Sequence, residues 1–188
     1  HNNSIQTDDL EAIEDLINSE ITKDLESITE VLPINEAMER GAVAFFGDKY
    51  GDEVRVLNIG NGFSIELCGG THVERTGEIG MLKITSESGV SAGVRRIEAV
   101  TGVGANLLMD ELSQNYSAIT NELFIEDIDS RDGVDALDYL RFLEEENISF
   151  AKALNCSNDQ VLKKIIQIKE ENNDILKELS RGPLEFKI

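Results

Sequence analysis

The stretch from Glu53 to Cys68 leaves the fewest choices. Glu53-Val54-Arg55-Val56-Leu57-Asn58-Ile59 is β-branched and nearly alternating. Phe63-Ser64-Ile65-Glu66-Leu67-Cys68 alternates again, with Phe63, Ile65 and Leu67 on one face. Asn61-Gly62 stands between the two runs, and this pair is the strongest short-range hairpin signal because both residues tolerate positive φ. Residues 81–85 and 94–100 supply two more strands, bounded by Gly77, Gly80, Gly89, Gly93 and Gly102. The centre is therefore expected to be an antiparallel sheet with helices packed on it, an α+β fold.

The flanks read as helices. Asp8 with Glu11 makes a capping box, and Leu10, Ile13, Leu16, Ile17 and Ile21 follow at helical spacing, predicting an amphipathic helix over residues 9–24. Residues 26–32 read as a short strand that stops at Pro33, and Asn35 opens a short helix that Gly41 ends. After Gly104 the pattern turns helical: residues 105–123, then an acidic connection over 124–133, then 135–154 and 159–180. In the last of these, Val161, Ile165, Ile168, Asn172, Ile175 and Leu179 form a heptad seam with one polar member. An intramolecular antiparallel pairing with the preceding helix is favoured over self-association through this seam. The expected division is a sheet-bearing domain over 1–104 and a helical segment over 105–188.

The chain's 188 residues and 40% apolar content suffice for a packed core. No run approaches the roughly 18 apolar residues of a membrane span, and no basic-then-apolar leader opens the chain. A first residue His1 in place of methionine suggests an excised piece. Two cysteines far apart, Cys68 and Cys156, argue against a disulfide framework and for a reducing cytoplasm. The net charge of −20 argues at first against nucleic acid, but from Ala42 to Gly104 there are six basic and eight acidic residues, so −18 belongs to the flanks. The central module can still present a local basic face.

Chemistry concentrates in Glu66-Leu67-Cys68-Gly69-Gly70-Thr71-His72-Val73. A thiol and an imidazole four apart, across two glycines at a strand end, require a turn to bring them together. Thiolate and imidazole are typical Zn2+ ligands. Against this, a free cysteine is often a small buried hydrophobe, and a lone histidine is more often structural. Two ligands do not complete a zinc site, and neither His1 nor Cys156 is a convincing third. A Cys–His nucleophilic pair would need an orienting group; Glu66, on the face of Cys68, is a weak one.

With Thr76-Gly77-Glu78-Ile79-Gly80 and Ser86-Glu87-Ser88-Gly89-Val90-Ser91-Ala92-Gly93-Val94-Arg95-Arg96-Ile97-Glu98-Ala99-Val100-Thr101-Gly102, that octapeptide resembles the editing domain of alanyl-tRNA synthetases. Ala44-Phe45-Phe46-Gly47-Asp48-Lys49-Tyr50-Gly51-Asp52-Glu53-Val54-Arg55-Val56 is similar to the same family. The likeness runs from about residue 9 to 102. It implies zinc-dependent hydrolysis of mischarged Ser- or Gly-tRNA(Ala), needed because a pocket built for alanine rejects near-isosteres by only about 1–3 kcal/mol.

The family holds its zinc between a His-x-x-x-His helix and a Cys-x-x-x-His turn, so Cys68 and His72 match the second ligand pair, with Thr71 and Glu66 as nearby polar groups. The His-x-x-x-His half and the aminoacylation domain that uses ATP and Mg2+ have no counterpart here. This chain alone is therefore expected to bind zinc poorly and to edit poorly or not at all. Residues 124–149 are more acidic than the family's helical linker, which 155–181 again resembles. Adjacent strand residues face opposite ways, so one of Arg95 and Arg96 is expected to reach tRNA phosphate while the other pairs with Glu98 or Glu87. The alternatives are a free-standing trans-editing deacylase and a non-enzymatic helical interaction module.

Overall fold

A computed structural model describes residues 3–44, 50–125 and 133–181. His1, residues 45–49 of the similarity upstream of the hairpin, and most of the acidic connection fall outside the described residues. The chain divides into two compact units, His1–Ala105 and Asn106–Ile188.

In the first unit, helix α1 (Thr7–Thr22) precedes strand β1 (Ser27–Pro33), helix α2 (Ile34–Glu39), β2 (Glu53–Ile59) and β3 (Ser64–Leu67). The three strands form one antiparallel sheet in the order β1-β2-β3. β1 pairs with β2 over its full length, from Ser27 opposite Ile59 to Pro33 opposite Glu53. Pro33 costs no ladder bond because it closes an edge strand. The predicted hairpin is present as β2 and β3, with Ile59 opposite Ser64. Its turn is four residues, Gly60 to Phe63, of which Gly60, Asn61 and Gly62 all take positive φ. Gly62 N donates to Asn58 Oδ1 at 2.8 Å. Phe63 thus leaves the strand and is exposed. Val54 and Val56 share the inner face of β2 and pack with Ala37, Ala42 and Leu67.

Strands β4 (Leu82–Ser91) and β5 (Val94–Thr101) form a separate two-stranded sheet, joined by Ala92-Gly93. The expected single sheet is therefore two. β1 occupies the free edge of β2, and a 3-10 turn over Thr76–Ile79 separates β3 from β4. β4 is twice as long as residues 81–85 because Ser88, Gly89 and Ser91 pair across to Arg96, Arg95 and Val94 through two irregularities in register.

α1 differs from its sequence reading in both start and docking face. It begins at Thr7 after Gln6, with no side-chain cap. Ile13 and Leu16 remain exposed, while Glu14 is buried. The docked stripe is Glu14, Asn18 and Ile21, one helical face. Asn18 Nδ2 donates to Leu82 O and its Oδ1 accepts from Leu82 N, each at 2.8 Å. The Glu14 carboxylate meets Lys83 Nζ at 3.2 Å and the Ile84 amide at 3.4 Å. The edge of β4 presents backbone groups and an ammonium, which apolar side chains cannot satisfy. α2 likewise starts after Pro33, which places Asn35 inside the helix.

The second unit consists, among the described residues, of α3 (Val103–Leu123, begun in the first unit), α4 (Ala136–Leu154) and α5 (Val161–Arg181). Asp135 caps α4 by accepting from Leu137 N at 2.8 Å. Tyr116, Tyr139 and Leu143 form one cluster, and Ile119, Ala151, Val161 and Ile165 another. The first turns of α5 thus pack on α4 and α3, and Lys169 Nζ reaches Glu122 Oε2 at 2.7 Å. Farther along, Ile168, Ile175 and Leu179 are exposed, so only the first half of the heptad seam is covered. No helix among the described residues is long and apolar enough to cross a membrane.

If polar docking holds α1, Asn18→Ala lowers the unfolding free energy by about 1–3 kcal/mol, because it strands the Leu82 N–H and C=O. Leu16→Ala, on the face the periodicity favoured, changes it by about 0.5 kcal/mol or less. Urea unfolding followed by circular dichroism checks both, and equal losses would refute the docking face.

Candidate functional site

Cys68 is the first residue after β3. Its amide donates to Arg55 O on β2 at 3.1 Å. The Arg55 guanidinium in turn donates from Nη1 to Gly70 O. One residue of the central strand therefore braces the turn at two points, through its backbone and through its side chain. Gly69 and Gly70 do not take positive φ, so their use here is space rather than handedness. A Cβ built on Gly70 would lie 3.6 Å from Cys68 Sγ and 3.8 Å from His72 Nε2. Thiol and imidazole therefore both border the space beside Gly70 that a side chain there would fill.

Cys68 is half-buried, whereas Thr71 and His72 are exposed, so the turn opens to solvent. Glu66 is half-buried and accepts from Ser64 Oγ at 2.8 Å. It also bridges to Val43, which lies along the outer edge of β3. Beyond His72 the chain crosses to the opposite edge of the sheet, where Ser27 N donates to Glu74 O at 2.8 Å. Arg75 Nε donates to Asp24 Oδ2 at 2.7 Å, and that bond raises the guanidinium's already high pKa. Buried Thr76 donates to Glu20 O at 3.0 Å and accepts from Leu25 N at 2.8 Å. Both ends of the turn are thus fixed while its middle stays accessible.

The donor set suits two ligands of a zinc site, a thiolate and an imidazole Nε2. Among the described residues, no cluster of three or more His, Cys, Asp or Glu stands ready to hold a metal. Cys156 belongs to the second unit, packed beside Ala151 and Ile165.

Arg95 and Arg96 have different surroundings. Arg95 Nε donates to Glu87 Oε1, and Nη2 to Glu87 Oε2 at 2.6 Å, a bidentate pair. Arg96 sits opposite Ser88 and is exposed. Glu98 accepts from Ser86 Oγ at 2.8 Å instead of from an arginine. The Arg95 hydrogen bond holds the Glu87 carboxyl below its usual value of 4.5 against the opposing effect of desolvation. Sequence reasoning missed the bracing role of Arg55. Its one trace is an arginine set between the buried valines Val54 and Val56.

Comparison with known proteins bears on this turn directly. The family described as the threonyl and alanyl tRNA synthetase second additional domain matches residues 54–98, which include Arg55, Glu66, Cys68, Thr71, His72, Arg95 and Arg96. The alanine–tRNA ligase of Dechloromonas aromatica is 42% identical over 171 residues, 90% of this chain and 19% of that protein. That of Pseudomonas fluorescens is 40% identical over 181 residues, 96% of this chain and 17% of that protein. That of a Psychrobacter species is 47% identical over 132 residues, 65% of this chain and 15% of that protein. This chain is similar to part of these alanine–tRNA ligases. It spans less than a fifth of the length of these relatives, and the likeness runs through both the sheet unit and the helical unit.

The Arg95–Glu87 pair sets a pH dependence for the stability of this unit. A carboxyl whose folded pKa is depressed stabilises the fold above its unfolded pKa, and that contribution is lost as pH falls through the folded value. Between pH 7 and 3 the wild type should therefore lose more stability than Glu87→Gln, with the difference developing below about pH 4.5. Thermal melts at stepped pH test this, and parallel curves would show that the pair contributes nothing.

Proposed function

We propose that this chain supplies one half of an editing site that hydrolyses the ester of mischarged Ser- or Gly-tRNA(Ala), within an alanine–tRNA ligase. The observation that carries the reading is the convergence of Cys68 Sγ and His72 Nε2 on Gly70 within the stretch that matches the second additional domain. The likeness to ligases over both units favours this over a free-standing deacylase.

Cys68, as thiolate, and His72, through Nε2, would hold the metal. Zinc, when bound, orients the ester and a water. A catalytic zinc needs three protein ligands and an open position. The turn offers two ligands, so the chain's affinity for zinc and its deacylation should be weak by themselves. Arg55 keeps Cys68 and Gly70 in place. Thr71 and Glu66, beside the ligands, offer a hydroxyl and a carboxylate to the ester and the water. ATP and Mg2+ would serve aminoacylation and have no role at this turn.

Cobalt(II) provides a readout independent of activity. Titrated in excess into the purified chain, it should give thiolate-to-metal absorption that vanishes in Cys68→Ser and weakens in His72→Ala. In the ligase that carries this sequence, Cys68→Ala should abolish Ser-tRNA(Ala) deacylation and spare alanylation. Absence of the thiolate bands at saturating cobalt, or full deacylation in Cys68→Ala, would sink the assignment.

Arg96 is the tRNA-facing member of the arginine pair, because Arg95 is committed to Glu87. Arg96→Ala should weaken tRNA(Ala) binding and reduce the slope of log K against log salt by about 0.7–0.9. Arg95→Ala should chiefly lower stability. Equal salt slopes in Arg96→Ala and the wild type would remove this contact.

A further inference from the structure

We propose that a hollow at the start of α5 is a second phosphate site, gripping the backbone of the RNA partner from the helical unit, outside the residues matched by the second additional domain. The proposal rests on the tRNA reading above. The hollow, of about 310 Å³, is lined by Asn155, Cys156, Gln160, Lys163, Lys164 and Gln167. The four residues from Gln160 to Gln167 recur at helical spacing and so share one face. That face lies beside the core positions Val161 and Ile165, which hold the wall of the hollow against α3 and α4.

Lysines on a helix usually belong to a solvated face, and the rest of α5 behaves that way. Lys169 pairs with Glu122 and Lys177 with Asp174. Lys163 and Lys164 make no ion pair among the described residues, and no carboxylate lines the hollow. Glu171, outside the lining, accepts from Gln167 Nε2 at 2.8 Å, which uses one of that amide's two N–H donors. The donors that remain are the two ammonium groups, the side-chain amides of Asn155 and Gln160, and the second N–H of Gln167.

Charge sets the hollow apart from its surroundings. Residues 106–188 carry nine basic and eighteen acidic side chains, yet residues 151–168 carry three lysines against one aspartate. An anion approaching this acidic unit meets a favourable potential here. The chemistry suits phosphate read as charge, since lysine acts as a point charge. No aromatic side chain lines the wall, so the hollow offers no platform for stacking a base. Backbone contact without sequence reading is what such a site supplies.

The test is equilibrium binding of a tRNA(Ala) transcript to the whole chain over a series of KCl concentrations. In Lys163→Gln/Lys164→Gln the slope of log K against log salt should fall by about 1.4–1.8, and affinity at low salt should drop by roughly tenfold or more. Lys23→Gln/Lys177→Gln removes two charges elsewhere and should leave the slope unchanged. All four lysines are solvent-facing, so matching far-UV dichroism should show every variant folded. A wild-type slope in the 163/164 variant overturns the hollow alone and leaves the tRNA reading standing. An equal fall in the control variant overturns it as well, because the effect would then be net charge. A wild-type chain that does not bind tRNA at all removes both.

Discussion

The polar seam between α1 and the 74–84 segment is the interaction on which the rest of the first unit depends. Asn18 closes two hydrogen bonds on Leu82, Glu14 meets Lys83, and Thr76 ties the 3-10 turn to the C-terminal end of α1. A two-stranded sheet is at best marginal in isolation, so β4 and β5 need this helix. A buried ion pair is weak evidence for stability, since desolvation offsets much of its attraction. What it provides here is register: a one-residue slip of β4 would separate Lys83 from Glu14 and unpair both sides of Asn18. The same seam fixes Arg75 and Thr76, and so anchors the far end of the Cys68–His72 turn.

The near end of that turn is anchored differently. Arg55 lies between buried valines on the central strand, and its side chain reaches the Gly70 carbonyl while its own carbonyl takes the Cys68 amide. A turn built this way is held at both ends and leaves Cys68 half-buried and His72 exposed between them. That is the order of rigidity expected of a ligand pair, where supporting contacts hold the geometry and few atoms face the guest.

Much of this could be read in the sequence where information is local. Asn61-Gly62 between alternating runs predicted the hairpin, and Ala92-Gly93 now explains why β4 and β5 meet so closely. The Cys-Gly-Gly-Thr-His stretch marked the turn before any geometry. What stayed hidden is non-local. The apolar spacing of α1 named Leu10, Ile13, Leu16, Ile17 and Ile21; Ile21 is buried, but Ile13 and Leu16 are exposed and Glu14 and Asn18 dock with Ile21, because the partner surface is a strand edge whose needs are set some 64 to 70 residues away. The α+β reading with antiparallel strands holds, but the strands divide between two sheets, because strand propensity says nothing about which edge a distant strand will choose. In α5 the heptad spacing was correct as a pattern, but only Val161 and Ile165 of the six seam positions lie within a core cluster.

Charge is the remaining link between structure and partner. A chain with a net charge of −20 would repel a polyanion if its acidity were uniform. Screening makes the distribution decisive: at physiological salt an exposed charge acts over about 8 Å. Within that range Arg96 belongs to the near-neutral central module, and Lys163 and Lys164 belong to a basic island inside an acidic unit. Arg95, the cation beside Arg96, is neutralised by Glu87. The acidity therefore limits where a nucleic acid can settle more than whether it can. The contacts proposed above use exposed cations that make no ion pair among the described residues, Arg96, Lys163 and Lys164.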